Sequence, residues 1–229
     1  MTPKANTALL FFSRTAIDEV TVKTFNNHVG RKGNMVISQC LIRQSIDTLQ
    51  KTNLPLLSSY SSEQIGDSFG ERLANAIESV YAKGYNKVIV IGNDCPFISS
   101  DLLLKVSQKL ENEKLVLGPA TDGGVYLIGI AKCAYNRQKF TDLSWQENKL
   151  QSDWQNYANS VSISINWLER YFDIDQAADF QKLMDALPFH SPLRKRFTSI
   201  LASVSNPVAF EANTSHKTVH TSSLSLRAP

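Results

Sequence analysis

Between Val88 and Ile130, three short apolar runs are separated by connections that break on glycine, proline or aspartate. Val88 to Ile91 is β-branched throughout and stops at Gly92-Asn93-Asp94-Cys95-Pro96. Leu115 to Leu117 stops at Gly118-Pro119, and Asp122-Gly123-Gly124 opens the run from Val125 to Ile130. Runs this short and this uniformly apolar are strands covered on both faces by helices. The intervening Leu102, Leu103, Val106 and Leu110 have helical spacing, with Ser99 or Ser100 as the N-cap. A carboxylate directly after such a strand lies at the carboxyl edge of a parallel sheet, where open α/β folds bind ligands. Asp94 is therefore the first candidate site residue.

The same alternation extends over most of the chain. Thr7 to Phe12 is a wholly apolar first strand, and Val36 to Gln50 is a helix by its spacing. Leu54 to Leu57 is a second strand with Pro55 near its start, where a missing donor does least harm. Ser68-Phe69-Gly70-Glu71 is a capping box, and the helix behind it carries Phe69, Leu73, Ile77 and Val80 on one stripe. Further on, helices are expected over Trp145–Ala158, Gln176–Ala186 and Leu193–Val204, with a late strand over Val161–Ile165. The class is α/β. With 42% apolar residues, residues 1–204 can bury one sizeable core and are expected to form one domain. Residues 205–229 are rich in Ser, Thr and Asn and are expected to be a disordered tail.

The 24 basic and 21 acidic residues give a formal charge of +3 without a basic block, which argues against a nucleic-acid or membrane surface. No window approaches a membrane span, and the apolar run at the N-terminus is too short for a signal peptide. Cys40, Cys95 and Cys133 form neither a disulfide framework nor a zinc pattern, which suits a reducing cytoplasm.

Acidic residues and glycines concentrated at strand ends suit a phosphate-bearing ligand held through Mg²⁺ or a similar cation, which needs only a few carboxylates. Asp173 and Asp175 join Asp94 as candidates, because an Asp-x-Asp pair in extended backbone points both side chains to one face. Each has a plainer role. Asp94 can close an Asx-turn, Asp175 can cap the helix that follows, and Asp122 is first a turn residue. Ser13 to Phe25, where a phosphate loop would stand, contains no glycine, although Arg14 and Lys23 can supply charge. Lys23 can equally be a solvated lysine, and Arg72 can pair with a neighbouring carboxylate. His216 and His220 have i, i+4 spacing but lie in the tail. No glycine-flanked nucleophile or Ser-His-Asp arrangement is present.

Three segments then carry a family resemblance: Gln64-Ile65-Gly66-Asp67-Ser68-Phe69-Gly70-Glu71-Arg72, Ile91-Gly92-Asn93-Asp94-Cys95-Pro96, and Leu117-Gly118-Pro119-Ala120-Thr121-Asp122-Gly123-Gly124-Val125. In order and separation they resemble the radical-SAM/selenodomain-associated glycosyltransferase-like family, long catalogued as a domain of unknown function. More distantly the chain is similar to guanylyltransferases that activate a phosphorylated small acid. The resemblance implies a GT-A type nucleotide-diphospho-sugar transferase fold, a Rossmann-like, mostly parallel sheet flanked by helices. It implies a nucleotide or nucleotide-sugar donor and a small-molecule acceptor, with Mg²⁺ or Mn²⁺ on Asp94, Asp173 and Asp175. Asp94 and Asp122 would be catalytic, Lys23 would touch donor phosphates, and Gln64 and Gly66 would lie at the nucleobase. Arg72 would bind substrate or nucleotide, and Gly123 and Gly124 would line the acceptor or donor pocket. The chain departs from the pattern after the first strand, where the family's Pro-Gly loop and arginine are replaced by Ala16-Ile17-Asp18-Glu19-Val20 and Lys23-Thr24-Phe25. It departs again where Gln146 and Glu147 follow Trp145 in place of Ser-Thr. A non-catalytic binding protein on the same scaffold is the alternative reading.

Overall fold

The structure is a computed structural model that describes residues 6–205. Its centre is β1 (Thr7–Ser13), buried at all seven positions. The two-residue period of a strand divides this run between two cores. Ala8, Leu10 and Phe12 face one side, and Leu9 and Phe11 face the other. β1 pairs in parallel with β2 (Leu56–Tyr60) and β3 (Lys87–Ile91). β4 (Leu115–Pro119) and β5 (Val125–Ala131) form an antiparallel hairpin, and the two-residue β6 (Asn166–Trp167) pairs in parallel with β4. The sheet order is β2-β1-β3-β5-β4-β6, with β5 the one antiparallel member.

Helices cover both faces. α2 (Gly30–Gln50) and α4 (Ser100–Lys109) pack on one side, where Leu49, Leu103, Val106 and Leu110 meet Leu9, Phe11, Ile89 and Ile91. α3 (Phe69–Ala82), the short α5 (Arg137–Thr141) and α6 (Leu150–Ser160) pack on the other. A third cluster joins Phe25 and α2 to α7 (Ala177–Ala186) and α8 (Pro192–Ser205), with the rings of Phe180 and Phe197 meeting edge to face at 5.0 Å.

Local chemistry fixes the helix starts that matter for the site. The Ser68 hydroxyl accepts from Glu71 N, and the Glu71 carboxylate accepts from Ser68 N and Asp67 N. This is the capping box expected from sequence. Ser99 caps α4 through Leu102 N. Several expectations shift. β2 begins at Leu56, after Pro55 rather than with it, and α2 begins six residues earlier than the apolar spacing suggested. The expected strand over 161–165 is replaced by β6, because Val161 closes the C-terminus of α6 and Ser162 turns with φ +54°. The expected helix from Trp145 starts only at Leu150. Gln176, not Asp175, is the N-cap of α7, which leaves the Asp175 carboxylate free for other partners. The tail from residue 206 on, with His216 and His220, lies outside the described residues. No described helix is long and apolar enough to cross a membrane.

Candidate active site

β1, β3 and β4 run parallel in space, so their carboxyl ends open on one edge of the sheet, and β5 begins there. A cavity of about 710 Å³ occupies this edge. Lys23, Gln64, Gly66, Arg72, Asp94, Asp122, Gly124, Asp173 and Asp175 all line it. Gly123 alone of the sequence candidates stands behind the wall: its φ is +100°, and a Cβ there would lie 3.2 Å from Asn148 Cα.

Asp94 follows β3 directly, and its carbonyl accepts a hydrogen bond from Ile174 N at 2.9 Å. That bond brings the Asp173-Ile174-Asp175 segment against the end of β3. A bridge between Thr24 and Gln176 and another between Ala120 and Tyr171 hold the same segment from either side. Asp122 sits in the turn between β4 and β5, where its Oδ1 accepts from Gly124 N at 2.8 Å, so its turn role is real and one carboxylate oxygen serves it. Gly118, unexplained by a hairpin alone, is required by packing: a Cβ there would fall 2.4 Å from the ring of Tyr126.

Lys23 is placed differently from a lysine that waits in solvent for phosphate. Its side chain is 8% exposed, and Nζ lies 2.7 Å from Asp94 Oδ1, 2.9 Å from Asp175 Oδ1 and 2.9 Å from Glu19 Oε1. Burial alone would lower its pKa, but Asp94, Glu19 and Asp175 outweigh burial and hold it above the ordinary lysine range. Glu19, 1% exposed, is pushed up by burial and by Asp94, with Lys23 opposing. Glu19 is not among the candidates expected from the sequence, although its i, i+4 spacing to Lys23 at the end of α1 (Ala16–Val22) is a readable signal.

Asp173 has no such counter-ion at hand. Its carboxyl is pushed up to about 8, first by burial and then by Asp94, Asp122 and Asp175. Its Oδ1 is buried and accepts no hydrogen bond. Among the described residues no group of three or more His, Cys, Asp or Glu side chains is placed to hold a metal ion. An open Mg²⁺ or Mn²⁺ site needs less, one or two carboxylates completed by water and phosphate oxygens. A buried carboxylate oxygen without a partner, repelled by three other carboxylates, fits a hard divalent cation. Asp173 and Asp94 are the residues that would hold it, with Asp175 beside them.

Basic and amide side chains also line the cavity. Arg14 lines the cavity, and its guanidinium reaches Glu19 at 3.8 Å. Arg72 donates to the carbonyl of Gly66 at 3.3 Å, and Gln64 Nε2 donates to the carbonyls of Ser13 and Ser59. Gly66 adopts φ +136° and leaves no room for a side chain, since a Cβ would lie 2.8 Å from Glu71 Cβ. Residues 145–148 close the cavity from α6, and Gln146 is held at φ +67°. That region was expected to be helical, so its place at the site was not legible.

The arrangement defines a class first. The fold is that of the nucleotide-diphospho-sugar transferases, with an acidic floor and a basic wall at the carboxyl edge of the sheet. The family described as "Uncharacterized protein conserved in bacteria (DUF2064)" matches residues 35–147. Among solved structures, the chain is similar to a Desulfovibrio desulfuricans G20 protein assigned as a nucleotide-diphospho-sugar transferase. The two are 19% identical, the match covers 88% of this chain and 97% of that one, and the TM-score is 0.75. A cytidylyltransferase from Leptospira borgpetersenii is 10% identical over 93% of this chain and 99% of that one, with a TM-score of 0.49. Comparison with curated proteins gives no match.

Proposed function

We propose that this chain is a metal-dependent transferase that takes a nucleotide sugar or a nucleoside triphosphate as donor and passes a glycosyl or nucleotidyl group to a small acceptor. The observation that carries the reading is the cavity at the sheet edge, lined by Asp94, Asp122, Asp173 and Asp175 together with Arg14, Arg72 and Gln64. Asp94, Asp173 and Asp175 hold Mg²⁺ or Mn²⁺, which when bound neutralises the charge of the departing phosphate group. Arg14 and Arg72 attract the phosphates, Gln64 and Gly66 border the nucleobase, and Lys23 is within side-chain reach of a phosphate carried on the ion. Asp122 and Gly124 border the acceptor, with Asp122 orienting the attacking hydroxyl by hydrogen bonding. The distant sequence resemblance to guanylyltransferases makes GTP the first nucleotide to try.

The test is a thermal-shift screen of nucleoside triphosphates and nucleotide sugars with and without Mn²⁺. A donor at a hundred times its Kd stabilises by about 2.7 kcal/mol and raises the unfolding midpoint. Asp94→Asn should remove the part of the shift that depends on metal. An unchanged metal effect in that variant would sink the proposed metal floor.

A specific observation also favours a second reading, a ligand-binding protein that has lost catalysis. The segment after β1 folds into α1, and its N-terminal turn is occupied by the protein's own carboxylate. Asp18 Oδ2 accepts from the hydroxyls of Thr15 at 2.8 Å and Ser61 at 2.5 Å, and these bonds lower its pKa. A negative charge placed there repels phosphate where related folds would welcome it. Absence of any nucleotide shift would favour this reading.

A further inference from the structure

The unusual member of the site is Lys23. It is the C-cap of α1, with an extended backbone whose N–H donates to the Glu19 carbonyl at 2.9 Å. The next residue, Thr24, bridges to Gln176, immediately after Asp175. The lysine backbone is thus stitched to the same segment whose carboxylate its ammonium grips. Three carboxylates surround Nζ within 3 Å, and the Ile174 carbonyl accepts a further, longer bond at 3.4 Å. Glu19 reaches Nζ from a fully buried position, while Asp94 and Asp175 are 40% and 50% exposed. The ammonium therefore has a buried anchor on one side and the cavity carboxylates on the other.

We propose that Lys23 is a tethered cation that occupies the Asp94 and Asp175 face of the acidic floor and competes with a divalent ion for it. The proposal rests on the reading of that floor as a metal site and adds how its affinity is set. An ammonium at hydrogen-bond distance from both Asp94 Oδ1 and Asp175 Oδ1 repels an incoming divalent ion and withholds one oxygen of each carboxylate from it. The site left to the ion is then Asp173 with the remaining oxygens. The backbone around Lys23 is held in place, so exchange needs only a side-chain rotation. Phosphate groups arriving with the donor offer the ammonium an alternative partner. Metal alone binds weakly, and metal together with donor binds well, because the donor draws Lys23 off the carboxylates. One side chain couples the two ligands.

The experiment titrates Mn²⁺ into the full chain without nucleotide and follows the free ion by electron paramagnetic resonance. Lys23→Met keeps an unbranched side chain one atom shorter and removes its charge, and it should lower the Mn²⁺ Kd by about tenfold or more. The double variant Glu19→Gln with Lys23→Met removes the buried pair together, guards against misfolding of the single variant, and should show the same gain. Mn²⁺ affinity unchanged or weakened in both variants would overturn the proposal. In the wild-type chain, acetylation of Lys23 by acetic anhydride, read by mass spectrometry, should be slow without metal and faster with saturating Mg²⁺. Equal reactivity in both states would also overturn it. A gain in Mn²⁺ binding alongside no thermal shift from any nucleotide would leave the lysine competition standing and remove the transferase reading.

Discussion

At the scale of single residues, Asp173 ties the cavity most directly to pH. Its folded-state pKa of about 8 lies above the ordinary carboxylate value of 3.8, so folding favours its protonated form. The corresponding stability is present below the unfolded pKa and is lost as pH rises through about 8. Metal-free protein should accordingly become less resistant to urea between pH 4 and pH 8, and Asp173→Asn should flatten that slope while weakening Mn²⁺ binding. A slope unaltered in the variant would assign the pH dependence to other groups. Asp94 could be read as a candidate from its place after an apolar strand, and Asp173 and Asp175 from their Asp-x-Asp spacing. The engagement of Lys23 with them could not. Its pairing with Glu19 follows an i, i+4 spacing, but its meeting with Asp94 and Asp175 depends on segments far apart in the chain, which no local pattern carries.

Among the elements, α3 and α4 begin where their capping serines stand, and the final helix, expected over Leu193–Val204, is α8 at Pro192–Ser205. α3 starts where Ser68 and Glu71 satisfy each other's neighbouring N–H groups, and these residues also shape the cavity wall through Gly66 and Arg72. Ser68→Ala should cost about 1 kcal/mol of stability in a denaturant titration. It should also weaken nucleotide binding if the loop at residues 64–67 borders the base, and a variant as stable as wild type would show that the cap adds little. The segments near residues 145 and 161 were misjudged for a physical reason. Trp145 packs with Phe69 and Phe140 at centroid distances of 5.4 and 5.0 Å, so its apolar character reflects an irregular aromatic cluster rather than a helical stripe. The antiparallel β5 was equally hidden, since an apolar run has no direction.

For the molecule as a whole, the cluster of Phe25, Ile174, Phe180 and Phe197 lies next to the site in sequence at two points, beside Lys23 and beside Asp175. Phe197 is fully buried, and Phe197→Ala should destabilise the fold by about 3–5 kcal/mol in equilibrium unfolding. It should also loosen the acidic floor, seen as weaker Mn²⁺ binding under conditions where the variant is still folded. Intact metal affinity would mean that the sheet alone positions the carboxylates. The late helices were expected from the sequence, but their packing against Phe25 and Ile174 beside Lys23 and Asp175 emerges only from long-range contacts.

The bond from Ile174 N to the Asp94 carbonyl spans eighty positions of chain, 174 minus 94, and carries a consequence for assembly. During synthesis β1, β2 and β3 can pair while Asp173 and Asp175 are still unmade, and Asp94 then has only Lys23 and its neighbours for company. The lysine can pair with this carboxylate from the first stages onward, whereas the acidic cluster is complete only when the late segment docks and the long loop-closure entropy has been overcome. A growing chain therefore presents Asp94 without its acidic neighbours, and their mutual repulsion arises only in the completed fold.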